Sequence, residues 1–235
     1  FLSCSLFHDL LHALPDGHEE DHEKANKTRN ALRTFALREI FQALGWSGIH
    51  RLAKRCGDPR LVGWELIKEP FEREEMAEWL CQWYLEASQD SSLYDSLTSG
   101  VLHALPQAEL LDFLNTCLSQ LEQKSASSEK MAGFMVNAPQ GMSLWQLIEN
   151  KYQILLEHFW LNVRPSYFQA NKEQLLFCIE KLLAAGRPRT AINAIGDRSS
   201  DLPGESLILI LKGIAAGLEE NAEFPRSWHI SRVFK

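Results

Sequence analysis

Apolar side chains recur along this chain at intervals of three and four residues, and long runs of alternating β-branched residues are missing. That spacing places the apolar positions on one face of an α-helix, whereas a strand needs a period of two. The clearest case is 175–195, LLFCIEKLLAAGRPRTAINAI, which predicts two short helices joined at Gly186-Arg187-Pro188. Gly186 suits the left-handed residue that ends a helix, and Pro188 suits the first turn of the next helix.

Similar helical hairpins, each less regular, are predicted along most of the chain. Asp58 and Pro59 match an N-cap and a first helical residue, while Ser143 and Gln146 match a capping box that opens one long helix up to Pro165. The predicted helices cover 2–14, 31–44, 47–56, 59–67, 71–87, 93–105, 106–121, 143–164, 175–185, 188–195 and 207–218. Short connections favour antiparallel neighbours. The sequence therefore predicts an all-α, irregular α-solenoid of antiparallel helical hairpins, similar to TPR or HEAT repeats, with no sheet.

The polar segment 123–130, QKSASSEK, is the best candidate for a linker. It predicts one helical-hairpin array over 1–123 and a second over 131–235, together forming one continuous solenoid. The chain starts at Phe1 rather than Met and stops at Lys235, directly after an apolar and aromatic stretch. We therefore expect it to be a piece of a longer polypeptide.

Charge and cysteine content narrow the class of protein. The net charge of −7 makes nucleic acid an unlikely partner, because binding to it depends on neutralised phosphates. Basic residues dominate 24–60 and acidic residues 65–95, which indicates either stacked neighbouring repeats or, the favoured interpretation, two solvated faces. Five scattered cysteines without a C-x-x-C pair indicate buried, reduced thiols in a cytoplasmic protein. The most apolar run, 207–211, is cut by Lys212, so no membrane span is predicted.

One stretch matches a metal motif. His18-Glu19-Glu20-Asp21-His22 fits H-E-x-x-H, in which two histidines one turn apart bind zinc and the glutamate acts as a base. No apolar residue seats the turn and no third ligand is evident, so a solvated polar connector is the favoured interpretation. Cysteine–histidine nucleophile pairs are equally weak, and no phosphate-binding glycine loop occurs. We predict no catalytic residue, no metal and no cofactor within this segment.

The favoured binding site lies around the predicted hairpin over 175–195. Arg187 and Arg189 fall at its turn, and Arg164 and Tyr167 fall at the preceding helix end. Arginine and tyrosine are residue types that carry protein-interface energy, so these four predict a rim for acidic groups of a protein partner. The alternative is that the arginines cap carbonyl groups of neighbouring helix ends. The aromatic stripes, such as the one over 71–87 that includes Trp79 and Trp83, are assigned to the core.

Two stretches carry a resemblance: 36–66, ALREIFQALGWSGIHRLAKRCGDPRLVGWEL, and 145–195, ending in EKLLAAGRPRTAINAI. Together they resemble the C-terminal helical region of large multidomain bacterial proteins associated with STAND-type NTPases of antiviral defence. The resemblance implies a non-catalytic sensor that binds a partner protein or neighbouring domains of its own polypeptide. The rival hypotheses are a zinc-dependent hydrolase that uses His18, Glu19 and His22, and a structural scaffold that docks neighbouring domains.

Overall fold

The computed structural model describes residues 19–86, 91–163, 172–195 and 204–219. All regular structure in these ranges is helical, which confirms the all-α prediction. The predicted helix over 2–14 lies outside them. In chain order the α-helices are α1 Glu19–Arg55, α2 Pro59–Leu66, α3 Arg73–Glu86, α4 Ser91–Ala104, α5 Gln107–Gln123, α6 Ser128–Val136, α7 Met142–Lys151, α8 Leu156–Asn162, α9 Lys172–Ala184, α10 Pro188–Ile195 and α11 Gly204–Glu219.

The chain divides into two compact units, unit 1 ending at Ala126 and unit 2 beginning at Ser127. This boundary falls inside 123–130, where the sequence places its linker. Ser127 is extended, and its hydroxyl oxygen accepts a hydrogen bond from the Lys130 N–H at 3.2 Å. The N-cap satisfies one of the free N–H groups at the start of a helix, and α6 therefore begins directly after the boundary.

Helix α1 corrects two details of the predicted pattern. The polar residues 19–24, expected as a connector, are helical, and the exposed pair Glu23–Lys27 at 2.8 Å has the favourable i,i+4 order. The predicted stop at Gly45 is present as a break, because Gly45 has φ 60° and ψ −153° inside the helix. The Ser47 hydroxyl, expected to cap a new helix, instead donates to the Leu44 carbonyl at 2.7 Å.

In unit 1, the most extensive helix contacts join helices two places apart along the chain, α2 with α4 and α3 with α5, while α1 packs mainly on α2. Gly63 and Gly100 make the α2–α4 contact possible. A Cβ atom at Gly63 would lie 2.7 Å from the Val101 nitrogen, and one at Gly100 would overlap the Arg60 carbonyl. Asp58 caps α2 as predicted, accepting from the Leu61 N–H at 3.4 Å. This packing is consistent with a solenoid-like arrangement of helices.

Unit 2 contains the hairpin that the sequence describes best. Gly186 has φ 68°, and the N–H groups of Gly186 and Arg187 donate to Leu183 and Leu182 at 3.0 and 2.9 Å. These two bonds are the Schellman ending of α9, and Pro188 then opens α10, which confirms the predicted turn. Helix α11 packs on both of these helices.

The prediction of one long helix over 143–164 is wrong. Helix α7 is capped by extended Gly141 rather than by Ser143, and it ends before Tyr152, which has φ −123° and ψ 47°. A 3₁₀ turn, Gln153–Leu155, then leads into α8. Such a turn has 3.0 residues per turn, close enough to 3.6 that the apolar spacing continues across the break. The pattern therefore conceals the interruption.

Candidate functional site

An open groove of about 470 Å³ lies on the surface of unit 1, between the residue after the Gly45 break and one face of α3. Its lining combines three tryptophans with polar and acidic side chains: Trp46, Glu75, Glu78, Trp79, Gln82 and Trp83. The five α3 residues follow the three- and four-residue spacing of one helix face. We call this surface the Trp46 groove.

Aromatic stacking fixes the walls of the Trp46 groove. The Trp46 ring stacks on Trp79 with centroids 4.7 Å apart and an interplanar angle of 20°. Phe41 and Phe71 hold Trp46 from other sides, at centroid distances of 4.9 and 5.3 Å. Trp79 is only 5% exposed, whereas Trp46 and Trp83 are half-buried. The walls are therefore packed aromatic rings, of which Trp46 and Trp83 still meet solvent.

The carboxylates of the Trp46 groove carry uncompensated negative charge. Glu75 and Glu78 are exposed, and neither has an ion pair or a side-chain hydrogen bond within the described ranges. The closest cation along α3, Arg73, is paired with Glu109 at 3.2 Å. Among the described residues, no lysine or arginine lines the groove.

Two other glutamates of unit 1 show the opposite arrangement. Glu65 is 1% exposed and has Lys68 at 2.8 Å and Arg33 at 3.8 Å. Glu69 is 3% exposed and accepts two bonds from Arg38, at 2.9 and 3.2 Å. These contacts join the basic and acidic regions of the sequence. The favoured interpretation of two solvated faces is therefore wrong for these residues, because buried carboxylates need charged partners.

His50 contacts one of the tryptophans that line the groove. Its imidazole stacks on Trp83 with a centroid distance of 3.4 Å. Burial lowers the pKa of His50 below 6.5, the nearby Lys54 lowers it further, and Glu86 opposes both effects. The imidazole is therefore uncharged at neutral pH and adds no cation beside the tryptophan wall.

Unit 2 has a groove of similar size, about 490 Å³, here called the Trp160 groove. Its lining is Glu149, Leu156, Glu157, Trp160, Leu161, Lys181, Ala184 and Ala185. Lys181 pairs with Glu149 at 2.7 Å and lies 5.2 Å from the Phe177 ring centroid. This groove therefore contains its own cation.

The arginine site predicted from the sequence is described only in part. Arg164 and Tyr167 lie outside the described residues, and Arg189 is half-buried on α10. Arg187 donates from Nη1 to the carbonyl oxygens of Trp160 and Val163, at 2.9 and 2.8 Å. It thus bonds to a neighbouring helix end, the contact that the capping alternative expects. Partner binding by these four residues stays a prediction.

The described residues show no geometry that supports the zinc hypothesis or the thiol hypothesis. His18 lies outside the described residues, while Glu19 and His22 lie in the first turns of α1. Among the described residues no three His, Cys, Asp or Glu side chains form a group that could hold a metal. Burial raises the pKa of Cys117, and it raises that of Cys178 to about 12 although Arg187 acts in the opposite direction. Both thiols are therefore protonated at neutral pH and poorly suited to nucleophilic attack.

No protein-family model, curated protein or solved structure matches this chain. Among the described helices, none combines the length and apolarity needed to cross a membrane. The groove and its charges are therefore the observations on which a function can be argued. The sequence pattern missed the Trp46 groove because it placed every tryptophan of the α3 stripe in the core.

Proposed function

We propose that this chain is a non-catalytic protein-binding module whose contact surface is the Trp46 groove. The observation that carries the proposal is a groove in which the half-buried Trp46 and Trp83 are bordered by the carboxylates of Glu75 and Glu78. Tryptophan is enriched among the residues that dominate binding energy at interfaces. An apolar centre with a polar rim is also the usual anatomy of a protein–protein contact.

The wider setting is proposed from the resemblance of 36–66 and 145–195. It supports a sensor module of a larger bacterial protein of the cytoplasm, with a role in antiviral defence. Trp46 lies within the first of these stretches. The partner is a protein or a neighbouring domain of the same polypeptide, and the net charge of −7 disfavours nucleic acid.

A structural scaffold is the second candidate, and one observation favours it. Helix α11 exposes three apolar side chains within about one turn, with Ile208 54%, Leu209 38% and Leu211 44% exposed. Apolar surface of this kind marks a contact with another segment or domain. The scaffold would use α11, whereas the sensor would use the Trp46 groove, so variants of the two surfaces separate the hypotheses.

A random peptide library displayed on phage tests the proposed function without a known partner. We expect the protein to enrich a family of peptides whose binding is lost in Gln82→Arg. The new guanidinium would lie one turn from Glu78 and would occupy the groove from within. Gln82 is exposed, so the fold should be unaffected.

Gln107→Arg is the matched control, because Gln107 is an exposed glutamine of α5 that does not line the groove. It should bind the selected peptides like the unmodified protein. The proposal is wrong if no peptide is enriched, or if Gln82→Arg and Gln107→Arg bind the peptides equally well. Peptides lost instead on Ile208→Ser would favour the scaffold.

A further inference from the structure

We infer that the Trp46 groove binds the guanidinium group of an arginine side chain of the partner protein. This inference rests on the proposed function and adds the chemistry of the ligand. It starts from the contrast within unit 1: Glu65 and Glu69 are paired with cations of the chain, whereas Glu75 and Glu78 are not. A cation supplied by the partner protein would compensate the charges of Glu75 and Glu78.

The aromatic walls favour a cation over a neutral ligand. The faces of tryptophan rings carry the negative part of the ring quadrupole, and cations within about 6 Å of such a face are attracted to it. Trp46 and Trp83 keep part of their surface in the open groove. With two carboxylates on the same helix face, the groove repels anions, and none of its described lining residues is basic and able to hold one.

The shape of the charges favours arginine over lysine. A guanidinium is planar, stacks on an aromatic face and presents its N–H groups in a fixed fork that matches carboxylate oxygens. Glu75 and Glu78 are three residues apart, so their carboxylates lie on neighbouring turns beside the rings. Arg38 already makes this two-bond contact with Glu69 inside unit 1. A lysine ammonium is attracted by the carboxylates, but it has no planar group that could stack on the tryptophan rings.

Three capped pentapeptides test the inference: one with a central arginine between leucines, and two with citrulline or lysine in its place. Citrulline keeps the shape of arginine but is neutral. Titrations would follow the indole N–H resonances of Trp46, Trp79 and Trp83 by NMR. We expect the arginine peptide to shift these three signals and the citrulline peptide to bind about tenfold more weakly. Lysine should fall between them.

Two double variants with equal charge change provide the control. Glu75→Gln/Glu78→Gln should weaken the arginine peptide about tenfold, whereas Glu72→Gln/Glu74→Gln should change it less than about threefold. All four glutamates are exposed, so both variants should fold. Equal binding of arginine and citrulline, equal weakening in both variants, or shifts confined to other residues would each overturn the inference. Selection of groove-binding peptides without arginine would overturn it while leaving the proposed function standing.

Discussion

The two grooves have nearly the same volume, about 470 and 490 Å³, and each has a tryptophan wall and two glutamates. They differ in where the compensating cation comes from. In the Trp160 groove, Lys181 pairs with Glu149 at 2.7 Å. In the Trp46 groove, Glu75 and Glu78 have no such partner in the described part of the chain.

The neighbourhoods of the grooves differ in the same sense. Next to the Trp160 groove, Arg187 binds two carbonyl oxygens at the end of α8, so its donors are directed into the fold. Lys181, Glu149 and Arg187 thus make their polar contacts within unit 2, whereas Glu75 and Glu78 have no cationic partner among the described residues. Groove volume alone does not distinguish these two cases, but the location of the paired charges does.

The largest expected effect concerns this architectural role of Arg187. Arg187→Ala should leave the carbonyl groups of Trp160 and Val163 without a donor and destabilise unit 2 by about 2–4 kcal/mol. Arg189→Ala, two residues along, should cost about 0.5 kcal/mol or less. Urea unfolding with hydrogen exchange in α8 and α9 measures both. Unchanged protection in Arg187→Ala would instead favour an arginine that is available to a partner.

The hinge that positions Arg187 gives the next largest effect. Gly186 has φ 68°, and a β-branched side chain there is strained. Gly186→Val should therefore lower stability by about 1–2 kcal/mol. Asn tolerates the left-handed region, so Gly186→Asn should cost clearly less. Nothing lies within 4 Å of a Cβ at this position, so crowding does not contribute. Equal melting temperatures for both variants would contradict the strain argument.

A third variant should make the Trp160 groove resemble the Trp46 groove. Lys181→Gln removes the cation from Glu149 and leaves two uncompensated carboxylates beside Trp160. The pair is partly exposed, so the loss of stability should be about 1 kcal/mol or less. The variant should acquire weak binding of the arginine peptide, seen as a shift of the Trp160 indole N–H signal. Absence of this shift would mean that uncompensated carboxylates beside tryptophan are insufficient for binding.

Helix ends could be predicted from the sequence where a residue has one strongly preferred backbone role, and not where it has none. Gly186 and Pro188 each have one favoured backbone role, so their turn was correctly predicted. Asp58 was similarly informative as a cap. The break at Tyr152 was hidden because 3₁₀ and α-helical spacing are too similar over one turn.

The candidate site was less accessible to sequence analysis. Trp79 and Trp83 share one apolar stripe, yet Trp79 is buried and Trp83 is half-buried. Trp46 stacks on Trp79 and His50 stacks on Trp83, and the spacing of the stripe contains no information about these contacts. Likewise, nothing in the sequence separates Glu69, which meets Arg38, from Glu75 and Glu78. Their difference arises from contacts between residues more than thirty positions apart. The interleaving of glutamates with tryptophans on α3 was the available signal.

The smallest expected effect is a pH dependence confined to unit 1. Burial lowers the pKa of both His50 and His103 below 6.5, although the bond between His103 Nδ1 and the Ser99 carbonyl, 2.8 Å long, opposes the shift of His103. As the pH falls below about 6.5, the unfolded chain takes up protons that the folded chain does not, and stability decreases until the folded pKa values are reached. Urea unfolding between pH 7.5 and 5.5 stays above most carboxylate titrations. The double variant His50→Gln/His103→Gln should show a flatter profile, and a wild-type stability that is constant or rises on acidification would contradict the argument.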